Sequence, residues 1–250
     1  MKTTVSQIRS QQKTPTELAE EINSALENLS AADRIGWLAQ QFPGELLLST
    51  SLGLQAAVML DLVTRSAPEV PIVFIDTGYH FTETYHYLDQ LEEKIGFDLE
   101  VYNPKLTAAR QEAKWGKLWE QGQEGHTRYH LINKIEPMDR ALKDHGASIW
   151  LSGLRRSQAS SRSDRAFAEA QNGTIKVYPI LDWSDQEVEQ YFASRDLPRH
   201  PLQKAGYVTM GDWHSTKKPV NGENREETRF DGSRYECGLH LESGNNDFQI

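Results

Sequence analysis

The sequence predicts an α/β protein built on a doubly wound, mainly parallel sheet. Two observations carry this. Short apolar runs of strand length alternate with stretches of helical period from Glu45 to about residue 200, the pattern of a parallel sheet covered by helices. Several runs also end in small hydroxyl residues or glycine, and ligands in such sheets sit outside the carboxyl ends of the strands. The 250 residues suffice for one large core without staples.

The elements follow in order. Thr14 and Pro15 form a cap and first helical position, and Leu18, Ile22, Ala25, Leu26 and Leu29 continue at helical spacing. Ser30 with Asp33 resembles a capping box and opens a second helix through Ile35, Leu38 and Ala39, stopped by Phe42-Pro43-Gly44. Strands are expected at Glu45–Ser49, Pro71–Ile75, Asp98–Tyr102, Ser148–Ser152 and Ile175–Pro179. Helices are expected over Leu54–Ser66, Phe81–Ile95, about 105–120, about 128–145 and Ser184–Ser194, the last with a serine cap and acids in its first turn. Past His200 the alternation fails. The predicted organisation is a helical preface (1–44), an α/β domain (45–200) and a mobile lid or tail (201–250) whose last residues fray.

Composition narrows the function. A net charge of −9 argues against nucleic-acid binding, which calls for a basic face. It also requires any anion site to concentrate its own positive charge. No apolar run approaches the roughly 18 residues of a membrane span, and the first residues carry no apolar signal region. The expected location is therefore the cytoplasm. A single cysteine excludes an internal disulfide, a multi-cysteine zinc site and a four-cysteine iron–sulfur cluster.

That cysteine lies in Glu236-Cys237-Gly238-Leu239-His240, after a stretch holding Lys217, Lys218, Arg225, Arg229 and Arg234 among acids. A thiol reacts as its thiolate, and nearby cations favour that form. The competing reading is a buried, inert thiol, although the polar flanks lean away from burial. The strand ends carry the other chemistry. Ser49-Thr50-Ser51-Leu52-Gly53 runs into a helix, where N–H groups and hydroxyls make an anion site. Asp76-Thr77-Gly78 follows the second strand. After the fourth come Ser152-Gly153-Leu154-Arg155-Arg156 and then Arg162 and Arg165, four arginines within eleven residues, suited to bidentate binding of phosphate or sulfate. Each piece alone also reads as an ordinary turn or a solvated charge run. The serine-rich turn has neither the P-loop Gly-Lys-Ser/Thr nor Gly-x-Gly-x-x-Gly.

Ser51-Leu52-Gly53-Leu54-Gln55 instead resembles a degraded PP-loop of the adenine-nucleotide α-hydrolase-like enzymes. The chain as a whole, over roughly residues 30–240, resembles the thioredoxin-dependent phosphoadenylyl-sulfate (PAPS) reductase family. The matching stretches are Ser49–Ala57, Ile75–Tyr79 with Tyr85, Gly116–Glu120, Asn133–Met138 and Gly153–Arg156. They continue with His200–Leu202, Gly211–His214, Glu226–Phe230 and the Glu-Cys-Gly-Leu-His motif. The resemblance implies that Cys237 attacks the sulfate sulfur of PAPS, expels adenosine 3′,5′-bisphosphate and is left as an S-sulfonate. It implies that Lys134, Arg229 and His240 lie near the sulfate. Ser49, Ser51 and Gly53 would line the nucleotide phosphates, with Asp76, Arg155 and Arg156 around the same pocket. His214, Lys217 and Lys218 would be lid contacts. Related adenylyl-sulfate reductases hold a cluster on cysteine pairs that this chain lacks, so no bound cofactor, metal or iron–sulfur cluster is expected. One cysteine cannot resolve its own adduct, so an external dithiol, thioredoxin or glutaredoxin, is the implied electron donor. A homodimer is the implied assembly. Gln203 departs from the family, which commonly has an aromatic residue there. Two other readings stay open: a PP-loop adenylating enzyme like the small subunit of sulfate adenylyltransferase, using ATP and Mg²⁺, and a non-catalytic nucleotide sensor.

Overall fold

The central strand, β1 (Leu46–Thr50), is buried on both faces through its three leucines, as expected of a strand covered by helices on both sides. The computed structural model describes residues 13–220 and 226–228. After helices α1 (Pro15–Leu26) and α2 (Ala31–Gln41) come β1, α3 (Ala56–Ser66), β2 (Ile72–Ile75), α4 (Thr82–Ile95) and β3 (Leu99–Tyr102). Then follow α5 (Ala108–Trp115), α6 (Gly122–His130), a π-helical turn (Leu131–Ile135), α7 (Glu136–Asp144) and β4 (Ile149–Leu151). The described part continues with β5 (Ala168–Gln171), β6 (Thr174–Val177), α8 (Asp185–Arg195) and the short α9 (Pro201–Lys204).

The six strands lie in the order β3-β2-β1-β4-β6-β5. All neighbours are parallel except β5 and β6. The chain winds outward from β1 through β2 to β3, then returns to the other side of β1 for β4. The switch point is therefore between β1 and β4, where a crevice forms at the strand ends. Leu46 and Leu48 face a core shared with α1, α2, α3 and α8, whereas Leu47 joins Val73, Met138, Ala141 and Trp150 on the opposite face.

Local signals account for most boundaries. Thr14 and Glu17 close a capping box on α1, and Ser184 and Glu187 close one on α8. Ser30 accepts from the Asp33 N–H at 3.2 Å to start α2. Gly96, at φ +74°, ends α4 in the left-handed conformation that glycine adopts without strain.

The helix expected over about 105–120 stops at Trp115, where Gly116 takes φ +70°, and the structure departs further from the expected pattern in two places. Strand β5 was not expected. It pairs antiparallel with β6 through Asn172 and Gly173, at φ +48° and +82°, a two-residue hairpin turn of the Asn-Gly type. Its outer edge is closed by Asn23 of α1, which donates to the Ala168 carbonyl and accepts from the Ala168 N–H, both at 2.8 Å. An exposed sheet edge is thereby covered, and the N-terminal helices share the main core through Ile22, Leu26, Ile35 and Leu38. The second departure is the run Gly122–Asp144, which is helical throughout and carries one π turn at Leu131–Ile135. Such turns occur mostly as single insertions and often at functional sites.

His200 offers a test of the packing around α9. It is fully buried, accepts from the Leu202 N–H at 3.2 Å and lies 3.1 Å from the Thr84 hydroxyl. Burial, against a weak pull from Glu83, pushes its pKa down to about 4. The unfolded imidazole, at about 6.5, takes up a proton that the folded one refuses until near pH 4. The contribution of His200 to stability is thus complete above about pH 6.5 and falls as the pH drops toward 4. His200→Asn should flatten the stability-versus-pH curve in that window, as read by urea unfolding. An unchanged slope would show that His200 does not titrate this way.

Candidate active site

A cleft of about 250 Å³ opens at the carboxyl ends of β1 and β4. Its first wall is the β1–α3 turn, with Ser49, Ser51, Gly53 and Gln55 facing the space. Leu52 in this turn is fully buried and holds φ +48°, a costly conformation for a non-glycine residue. The Thr50 hydroxyl accepts from its N–H at 3.1 Å. The apolar anchor of Leu52 thus keeps the turn tight just before α3, whose first-turn N–H groups have no partners within the helix. Ser49 accepts from the Trp150 indole N–H at 2.7 Å, which fixes its hydroxyl across the β1–β4 gap.

The second wall follows β4. Ser152, Gly153 and Leu154 line it, and Gln158 and Arg162 close it from the loop beyond. A Cβ on Gly153 would lie 2.9 Å from Met59 Cγ, so glycine lets β4 approach α3. The four arginines of this loop have different tasks. Arg162, largely buried, lines the cleft and donates to Gln158 Oε1 at 2.5 Å. Arg155 is fully buried and does not face the cleft. It donates to Asp185 at 2.6 Å, Gln55 at 2.7 Å, Ser157 at 2.8 Å and the Trp183 carbonyl at 3.0 Å. Arg156 donates to the Arg165 carbonyl at 2.7 and 3.0 Å and lies over the Phe167 ring, also away from the cleft. Arg165 pairs with Glu169.

The floor comes from β2, the π turn and a late segment. Ile75, Thr77 and His80 line it after β2. Asp76 turns aside, accepting from the Gly78 N–H and the Tyr85 hydroxyl, both at 2.8 Å, and so shapes the β2–α4 turn. The His80 Nε2–H donates to the Ile75 carbonyl at 3.3 Å, which leaves Nδ1 as a buried acceptor without a partner among the described residues. Burial pushes the His80 pKa down, with Asp212 opposing and Lys134 adding to the shift, so the ring is neutral at neutral pH. Lys134, on the π turn, reaches the cleft and pairs with Asp212 at 2.6 Å. Asp212 is fully buried and also accepts from the Thr77 hydroxyl at 2.7 Å. Burial pushes its carboxyl up, but Lys134 together with His80 and His214 outweighs this and holds it well below the usual carboxylate range.

Thr209, Met210 and Gly211 form the last wall. Thr209 shares a hydrogen bond of 2.8 Å with Thr228, and Lys217 N–H donates to the Thr228 carbonyl at 3.1 Å. His214 stacks on Trp119, with ring centres 4.1 Å apart, among Tyr79, Tyr129 and Trp213. Lys218 lies over the Tyr207 ring at 5.4 Å. Neither His214, Lys217 nor Lys218 lines the cleft. Cys237, Arg229 and His240 lie outside the described residues.

Of the residues singled out from the sequence, the fold thus brings Ser49, Ser51, Gly53 and Lys134 to one cleft. Thr77, His80, Gln158, Arg162 and Asp212 also build it. Thr77, Arg162 and Asp212 stand inside segments that drew attention in the sequence, but nothing local marks which of their side chains turns inward. Among the described residues, no group of three His, Cys, Asp or Glu side chains is placed to hold a metal, and no helix is long and apolar enough to cross a membrane.

Comparison with known proteins agrees with this fold. The model of the phosphoadenosine phosphosulfate reductase domain matches residues 45–218. A phosphoadenosine 5′-phosphosulfate reductase of Alkalilimnicola ehrlichii is 50% identical over 226 residues, covering 90% of this chain and 92% of the relative. One from Photobacterium profundum is 49% identical, covering 91% and 90%. The crystal structure of the PAPS reductase from Candida auris, a phosphate complex, superposes with a TM-score of 0.71 at 31% identity, covering 82% of this chain and 98% of the other. The FMN adenylyltransferase of Candida glabrata shares the fold alone, with a TM-score of 0.55 at 14% identity over 89% of this chain and 83% of the other. A matched model over most of the chain and relatives near half identity lead to one conclusion: the chain belongs to the phosphoadenosine phosphosulfate reductase family.

Proposed function

We propose that the protein reduces PAPS to sulfite and adenosine 3′,5′-bisphosphate through an S-sulfonate on Cys237, which thioredoxin or glutaredoxin resolves. One observation supports a nucleophile at this cleft. Thr228 is buried and hydrogen-bonded to Thr209 on the cleft wall, and Cys237 follows nine residues later. Nine residues of extended chain span about 30 Å, more than enough to carry the thiol over the cleft. That reach supports a reading in which Cys237 serves the cleft, whose walls carry Lys134 and Arg162.

The Cys237 thiolate attacks the sulfur of the sulfate. An S–S bond forms, the bond from sulfur to the phosphate oxygen breaks, and the bisphosphate nucleotide leaves with the electron pair. A thiolate of the partner dithiol then attacks Sγ of Cys237, and sulfite leaves with the pair of the S–S bond. The second partner thiol resolves the mixed disulfide, which returns Cys237 as thiolate and leaves the partner oxidised by two electrons. Ser49, Ser51, Gly53 and the first turn of α3 bind phosphate oxygens. Lys134, Arg229 and His240 stabilise charge at the sulfate end. Asp76, Arg155 and Arg156 act by shaping the walls, and His214, Lys217 and Lys218 belong to the segment that carries the lid. On this reading the reaction serves sulfate assimilation in the cytoplasm and the assembly is a homodimer.

The decisive experiment mixes protein with PAPS and no reductant. Intact mass should rise by one sulfonate per chain, with stoichiometric release of the bisphosphate nucleotide. An unchanged mass with ATP cleaved to AMP and pyrophosphate would mark an adenylating enzyme, and binding without either a nucleotide sensor. Arg229→Ala should slow sulfonation by on the order of 10²-fold while nucleotide affinity changes only a few-fold, because its charge is used at the sulfate end. Equal losses in both would remove Arg229 from that role.

A further inference from the structure

The Lys134–Asp212 pair has a feature that the reaction as written leaves unused. An ammonium meant for an anion stands in the cleft floor with a buried carboxylate 2.6 Å behind it. Asp212 is fully buried, and Thr77 holds its second oxygen at 2.7 Å. The Trp213 N–H donates to the Tyr79 carbonyl at 2.9 Å, which keeps the neighbouring backbone in place. Lys134 itself is nearly buried and leaves its helix through the π turn, where Asn133 is pinned by Gln111 at 2.7 and 3.0 Å. Removing water from an ammonium is costly unless a counter-charge stands beside it. The ammonium also carries three N–H donors, so one can stay on Asp212 while others face a ligand.

We propose that Asp212 is a positioning residue for the reaction, supplying the counter-charge that holds the Lys134 side chain and aims it into the cleft before the anionic substrate arrives. The inference rests on the PAPS reading above.

The test measures PAPS binding by calorimetry at neutral pH in a Cys237→Ser background, which binds without turning over. With Asp212→Asn added, Kd should rise by about tenfold. In a Lys134→Met background the same Asp212→Asn change should not weaken binding further, because no ammonium is left to aim. An equal loss of affinity in both backgrounds would mean that Asp212 only anchors its segment, and an unaltered Kd would mean that it does neither; both overturn the proposal. If Asp212→Asn does not fold, the Asp212→Asn/Lys134→Met double variant decides. Recovery of folding supports a charge pair as the role of Asp212, because neither charge is then stranded, and continued unfolding overturns it. A parent that fails to bind PAPS at all counts against the PAPS reading instead.

Discussion

Cys237→Ser is expected to abolish sulfonation and sulfite release, with turnover down by roughly 10⁴-fold or more, as for loss of an enzyme's nucleophile. A serine hydroxyl is scarcely ionised at neutral pH and is a poor nucleophile without a base. Its ester with sulfate would also offer the partner dithiol no sulfur–sulfur bond to exchange. The affinity for adenosine 3′,5′-bisphosphate should stay within about twofold, because the cleft walls from Ser49 to Arg162 are untouched. Stopped-flow nucleotide release with a parallel binding titration separates the two effects. Sulfite production at a substantial fraction of the wild-type rate would exclude Cys237 as nucleophile.

Arg155→Met is expected to cost about 2–4 kcal/mol of stability and to weaken nucleotide binding by about tenfold. The guanidinium ties Gln55 on the β1–α3 turn to Asp185 at the start of α8 and to the Trp183 carbonyl. Losing it leaves the Trp183 carbonyl with only the longer 3.3 Å bond from the Ser157 hydroxyl and frees one cleft wall. Asp185 is well exposed, so the cost comes from the lost hydrogen bonds of a buried guanidinium and not from a stranded acid. Arg155→Lys should recover little, because a point charge cannot serve four acceptors held in a fork. A residue that touched the substrate phosphates directly would give the opposite pattern, with binding lost and stability unchanged. Chemical denaturation together with a nucleotide titration distinguishes the two roles.

These expectations mark how far the chain could be read without its fold. The parallel sheet and its crevice were legible, because strand length, helical period and the position of Ser49–Gly53 after a strand are all local. β5 was not. Ala168-Glu169-Ala170-Gln171 has little strand preference of its own, and it is held by the Asn172-Gly173 turn and by Asn23, 145 residues away in the chain. The basic loop was legible as a cluster, but not the division of labour within it. Arg155 turns inward because Asp185 and Gln55 meet it there, and Arg162 reaches the cleft beside Gln158.

By itself, the sequence determined the alternation of strands and helices along the chain, the family, and the chemistry open to a chain with one cysteine. Each depends on residue identity or on neighbours a few positions apart. Tertiary structure alone decided that Asp212 stands behind Lys134, that Thr77 holds it from 135 residues away, and that Arg155 is a strut beside the cleft. Those outcomes depend on burial and on partners brought together by the sheet, where removing water from a charge makes its nearest counter-ion decisive.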